Sequence, residues 1–313
     1  MVNYIDLFSK SWNGLKNNLV LFFPYLISLG LAILFFIILL IEAGIFISAY
    51  RIDFYAITYT QAIDLMQNTG LMFYLIFVLI IDILVWFLVN VYITSMYIGM
   101  CKEIVKNGKT GTLTMFQSGK IYYKRMFGVK IIKFLINSIP LLILILINLA
   151  IYIYINKILT IFTGLISLIL FFVYALAISV GFFFVSPIIA EKSGKALDLV
   201  KESFNYAKKN LGHTIITLLI LVGLGLVIGI IFQIPITTID NSLPMFSDNR
   251  TIAIILITLL VLFNIIKVII QASYALIASL YVFFAYYSNS TNYNDNISRS
   301  KPKSSKSKSR SRK

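Results

Sequence analysis

Asp82 and Lys267 are ionisable residues set inside long apolar runs, and they have the strongest claim to chemistry in this chain. A charge at the centre of a bilayer costs about 3 kcal/mol or more unless it is compensated, so such residues are usually paired or functional. Both runs are read as crossing the membrane in the same direction. At about 1.5 Å of rise per residue their depths differ by about 5 to 10 Å, a gap that a lysine stem bridges. Paired inside a helix bundle, Asp82 and Lys267 would form a proton or ion relay. The alternatives are a structural ion pair, or two side chains that snorkel to the interface separately.

Other chemistry is sparse. One histidine, His213, and one cysteine, Cys101, give no basis for a multi-His or multi-Cys metal site, so neither metal nor cofactor is expected. Gly108-Lys109-Thr110 imitates the end of a phosphate-binding loop, but Glu103 stands where the earlier glycine belongs and no strand precedes it. The segment reads as an ordinary loop. His213 reads as an interfacial hydrogen-bonding residue and Cys101 as a buried thiol. No nucleophile–base pair follows from spacing, so no catalytic residue is assigned.

The elements that would position these residues are membrane spans. The chain has 313 residues, 59% of them hydrophobic and 15% aromatic, with a mean hydropathy of +0.92, more apolar surface than one soluble core can hide. A bilayer core of about 30 Å needs about 20 apolar helical residues. Six runs qualify: Leu19 to Ile41, Leu71 to Gly99, Phe127 to Ile155, Ile158 to Ala190, Leu211 to Ile239 and Thr251 to Tyr287. No cleavable leader is expected before the first, and Met1 to Leu19 is read as retained.

Six crossings sort the intervening segments onto two sides, and the 27 Lys and Arg residues choose one of them. Only Arg51, Lys157 and Arg250 fall on the other side, with Lys267 inside a span. Positively charged loops stay in the cytoplasm, which places both termini inside and the protein in the cell membrane. Splitting the last run around Lys267 would export the basic tail, so that run reads as one long tilted helix.

Asp6 to Leu19 (DLFSKSWNGLKNNL) and Asp198 to Leu211 (DLVKESFNYAKKNL) repeat one pattern in register. Asp6, Ser11, Lys16 and Asn18 match Asp198, Ser203, Lys208 and Asn210, and Trp12 matches Phe204. Apolar residues follow one helical face in both copies, Ile5, Phe8, Trp12, Leu15 and Leu19 in the first. Such segments are expected to lie in the interface, aromatics at headgroup depth and lysines towards anionic lipid. A weaker third copy spans Leu113 to Phe127, where Phe116 and Lys124 match and Lys120 interrupts the apolar face. Three parallel helical-hairpin units result, a pattern found in some transporters and also produced by simple duplication.

Outside the spans, Glu42 to Gly70 carries several aromatics and few charges, and reads as an interfacial tether or a lid. Residues 288–313 alternate Ser with Lys and Arg and form a basic, disordered cytoplasmic tail after the membrane domain of residues 1–287. The tail lacks interleaved aromatics for base stacking, so nucleic acid is disfavoured and anionic headgroups are the expected partner. Gly225 and Gly229 form a GxxxG pair that permits close helix contact, within the chain or in self-association.

Phe182-Phe183-Phe184, Pro187, Glu191, Ala196-Leu197, Ser203 and Lys208 resemble the membrane domain attached to some glycerophosphodiester phosphodiesterases, and related stand-alone prokaryotic multi-pass proteins of uncharacterised role. The similarity runs from about Gly181 to Leu211. It implies a helical membrane domain and does not carry phosphodiesterase chemistry, because the chain has no room for the soluble barrel with its metal ligands. The sequence reading is therefore an all-α integral membrane protein with six transmembrane helices and amphipathic interfacial helices. Its expected role is non-enzymatic, in membrane support or transport, with a basic cytoplasmic face that binds anionic lipid or a partner. Alternatives are a small-solute or lipid translocator using Asp82 and Lys267, and a membrane-embedded enzyme.

Overall fold

A computed structural model describes residues 2–50, 69–155, 157–246 and 249–300, and these residues contain helices and no strand. The helices are α1 (Tyr4–Lys16), α2 (Phe22–Tyr50), α3 (Thr69–Asn107), α4 (Thr112–Tyr154), α5 (Lys157–Phe182), α6 (Val185–Glu191), α7 (Ala196–Lys209), α8 (Leu211–Ser242) and α9 (Arg250–Ser300). Six stretches are long and apolar enough to cross a membrane: Leu19–Glu42, Ile76–Asn107, Thr112–Tyr154, Leu159–Glu191, Leu211–Phe246 and Thr251–Asn289. The protein is a multi-pass, all-helical membrane protein. Most of the Glu42 to Gly70 segment, with its tether or lid reading, lies outside the described residues.

Local sequence explains most helix ends. Asn3 caps α1, its side chain accepting from the backbone N–H groups of Ile5 and Asp6 at 3.1 and 3.2 Å. The fourth apolar run, expected as one helix, breaks between Phe182 and Val185. An unbroken helix would require a Pro187 N–H to bond the Phe183 carbonyl, and proline has none. The chain makes a tight turn there, Phe183 N–H to Val180 O at 3.3 Å, before α6 begins. The third copy of the interfacial pattern is likewise no separate element: Leu113 to Phe127 forms the opening turns of α4.

The α9 backbone is helical to Ser300, into the segment read as a basic tail. Extending an existing helix adds one hydrogen bond per residue and avoids the nucleation cost, which lets a polar segment continue an apolar one. The serine–lysine repeat at residues 301–313 lies outside the described residues.

The first helix packs against the second half of α9. The Tyr281 hydroxyl near the end of α9 donates to the Tyr4 carbonyl at 3.5 Å, and Asn289 donates to the Tyr206 hydroxyl at 3.1 Å. The turns carrying most of the lysines gather at this same end, and so does the closely packed core, centred on Leu21, Met96, Phe184, Ile188, Leu280 and Tyr281. Farther along the spans, side chains such as Phe36, Phe77, Ile147, Leu168 and Leu262 are exposed. In water that surface would drive aggregation; in lipid, with tails as apolar as leucine, it costs nothing to leave uncovered.

Close helix approach fixes the core. A Cβ on Gly181 would overlap the Phe204 ring, and the neighbouring Ser203 hydroxyl donates to the Gly181 carbonyl at 2.6 Å. Gly181→Ala should lower stability by about 1 to 3 kcal/mol through overpacking. Gly212→Ala, where added bulk meets open space, should change it by less than about 0.5 kcal/mol in either direction. Unfolding of the purified protein in detergent measures both.

Candidate functional site

The basic end is a set of hydrogen-bonded junctions built from the helix lead-ins. Asn18 is buried between α1 and α2. Its amide donates to the carbonyls of Gly14 at 2.8 Å and Gly108 at 3.0 Å and accepts from the Thr110 N–H at 2.9 Å. Gly108 has φ +75°, a conformation that favours glycine, and the Thr110 hydroxyl donates to Glu103 at 2.7 Å. The sequence that imitated a phosphate loop is thus a tight α3–α4 turn clamped to the α1–α2 junction.

Asn210 occupies the matching place between α7 and α8, its amide donating to the Tyr206 carbonyl four residues back at 3.1 Å, as Asn18 does to Gly14. Ser11 and Ser203 are both fully buried. Ser11 bonds the Leu7 carbonyl of its own helix at 2.7 Å, whereas Ser203 reaches across to α5. Asp6 pairs with Lys10 at 2.7 Å on the α1 surface. Lys16, Asp198 and Lys208 are exposed. The aromatics diverge: Trp12 is half exposed, as an interfacial residue should be, but Phe204 packs edge-on to Phe182 with centroids 5.4 Å apart. Phe204 therefore fills the protein core rather than lying at headgroup depth.

A second junction forms around the carboxyl end of α6. Lys102 donates to the Ala190 carbonyl at 2.5 Å, and Arg125 donates to the carbonyls of Ile189 and Lys192 at 3.3 and 3.0 Å. These cations satisfy carbonyls that the helix leaves unpaired and complement its dipole. Glu191 takes Lys106 at 2.7 Å and the Tyr287 hydroxyl of α9, and Lys192 pairs with Glu202 of α7. Beside this junction a cleft of about 670 Å³ is lined by Glu191, Lys192, Asp198, Lys201, Glu202 and Tyr206, a mixture of both charges. Burial pushes the Tyr206 hydroxyl up to about 12, so it remains a neutral partner for Asn289.

His213 is held structurally. Its Nε2 faces the Ala285 carbonyl at 3.2 Å and therefore donates, leaving Nδ1 to accept from the Tyr4 hydroxyl at 3.0 Å. Its ring also stacks on Phe184. Cys101 is buried. Gly225 receives the Tyr274 ring of α9, which also bonds the Leu221 carbonyl, while Gly229 faces open space. Packing at the GxxxG pair is thus within the chain at one glycine only.

Asp82 and Lys267 are not brought together. Lys267 of α9 donates to Gln233 of α8 at 2.9 Å, and no ion pair joins it to Asp82 among the described residues. Asp82 is only 8% exposed, and its Oδ2 is buried without a hydrogen-bond partner. Among the described residues, Glu42 Oε2 is the other such oxygen. Phe35 of α2 meets Trp86 of α3 with centroids 5.9 Å apart. Glu42 lies two turns beyond Phe35 and Asp82 one turn before Trp86, so both carboxyls occupy the faces that α2 and α3 turn towards each other.

Lys130 was also missed. It reaches from α4 to the carbonyl of Asn90 at 3.1 Å, the Asn90 side chain and the Thr94 hydroxyl at 2.8 Å. The signal was Asn90 and Thr94 at helical spacing in an otherwise apolar run. Among the described residues no group of three or more His, Cys, Asp or Glu is placed to hold a metal. Comparison with protein families, curated proteins and solved structures finds no match for the chain.

Asn18→Ala removes three hydrogen bonds, one of them from the half-buried Thr110 N–H, whereas Asn210→Ala removes one. The expected losses are about 3 and about 1 kcal/mol. Thermal unfolding of the two variants side by side checks the ratio.

Proposed function

We propose that this is a non-enzymatic protein of the cell membrane, in a support or transport-related role, whose basic end faces the cytoplasm and binds anionic lipid headgroups. The observation that carries this reading is a division among the cations. Lys102, Lys106, Arg125 and Lys192 are engaged in holding α6, whereas Lys16, Lys109, Lys120, Lys124, Lys195, Lys201, Lys208 and Lys209 have no ion-pair or hydrogen-bond partner among the described residues. Unpaired lysines beside a bilayer are attracted to anionic lipid by about 1 kcal/mol each. The matched geometry of Asn18 and Asn210 supports duplication of one lead-in and hairpin unit.

Reconstituted in phosphatidylcholine vesicles with and without phosphatidylglycerol, the full chain should melt several degrees higher with the anionic lipid. That difference should shrink as salt rises from about 0.05 to about 0.5 M. Equal melting temperatures would remove the lipid-binding reading. Reporters placed after Asn68, Lys109, Asp248 and Lys313 should read outside, inside, outside, inside.

A second reading, a translocator with a proton-linked step, rests on the unpartnered oxygens of Asp82 and Glu42 along the α2–α3 seam. Asp82→Asn should abolish potential-driven acidification of vesicles containing the protein. Wild-type flux no greater than that of empty vesicles would sink the idea.

A further inference from the structure

A groove of about 480 Å³ runs between α2, α3 and the opening turns of α4, lined by Ile27 and Leu31, Leu88 and Met96, and Phe116 and Tyr123. Its wall is firm. The Tyr92 ring is wedged against Gly119, within 2.9 Å of where a Cβ would stand, and meets Tyr123 edge-on with centroids 6.1 Å apart. From Met96 to Leu88 the groove follows α3 for about 12 Å, parallel to the spans and away from the basic end.

Charge lies along the α4 side of this groove. The stretch from Ile104 to Ala190 contains no Asp or Glu, and α4 carries five cations within it. Three are engaged inside the protein: Arg125 on the α6 carbonyls, Lys130 on Asn90 and Thr94, and Lys133 over the Phe182 ring at 5.7 Å. Lys120 and Lys124 are exposed and lack any ion-pair or hydrogen-bond partner among the described residues. At about 100° per residue, Lys120 projects within about 60° of Phe116 and Tyr123, the two α4 side chains that line the groove, while Lys124, one turn farther on, stands about 80° to 100° round the helix from them.

We propose that this groove seats one anionic phospholipid, its acyl chain along the apolar trough of α2 and α3 and its phosphate on Lys120 and Lys124. The inference rests on the anionic-lipid reading above and narrows it to one place. Lys120 and, reaching round from the next turn, Lys124 can attract a phosphate, and the trough beside Lys120 offers apolar contact that a free phosphate could not use.

The chain's two tryptophans make the test direct, because Trp86 lies two residues from Leu88 at the far end of the trough. In a Trp12→Phe background, Trp86 fluorescence is followed in phosphatidylcholine vesicles containing acyl-brominated phosphatidylglycerol or, separately, acyl-brominated phosphatidylcholine. The anionic quencher should act with at least about fivefold higher apparent affinity. Lys120→Gln with Lys124→Gln should bring the two quenchers to parity. So should Leu31→Phe with Val89→Phe, which fills the trough and keeps the charges; this pair decides the matter if the lysine variant fails to fold. Lys201→Gln with Lys208→Gln should leave the preference intact, and millimolar inorganic phosphate should not displace the quencher.

Parity in the Trp12→Phe protein, or a preference that survives trough filling, overturns the proposal. A preference lost equally with Lys201 and Lys208 would mean diffuse attraction to the basic surface. The seat would then fall while the broader lipid-binding reading stood.

Discussion

A helix that stops inside a protein leaves carbonyls that must find donors, and the arrangement at the basic end follows from how α6 solves this. Its seven residues end among α3, α4 and α9. Lys102 and Arg125 arrive from two different helices to take its last carbonyls, while Glu191 at its tip takes Lys106 and Tyr287. One short element thereby ties the central hairpin to the last span. Pro187 removes one bond from the ladder where the fourth span breaks, although Pro140 and Pro235 lie within helices that stay continuous.

What could be read from the sequence was the part set by one-dimensional periodicity. Spans follow from runs of apolar residues, and all six appear where those runs lie. The partners of Asp82 could not be read in this way. Depth along a helix comes from counting residues, but azimuth depends on which neighbour each face meets. Lys267 and Asp82 lie at compatible depths on helices that do not turn those residues towards each other, and Lys267 instead finds Gln233 on the adjacent α8. Glu42 escaped notice because it sits at the boundary of a span, where hydropathy loses its meaning, yet its helical phase with Phe35 points it into the α2–α3 seam.

The repeated lead-ins show the same limit. Their shared Ser and Asn positions were visible in the alignment of the two copies, and the local geometry around Asn18 and Asn210 is alike. Their environments are not. In the first copy the apolar face of Ile5, Phe8 and Trp12 stays exposed, and in the second the equivalent aromatic is captured by Gly181 and Phe182. An amphipathic moment states that one face is apolar; whether lipid or protein covers it is decided by the neighbours.

The acid-free stretch from Ile104 to Ala190 has a consequence for regulation. It offers an incoming anion no carboxylate of its own to repel it and no imidazole side chain. An anion held there, as proposed above, would be loosened by ionic strength, by competing multivalent anions or by chemical modification of the lysines themselves.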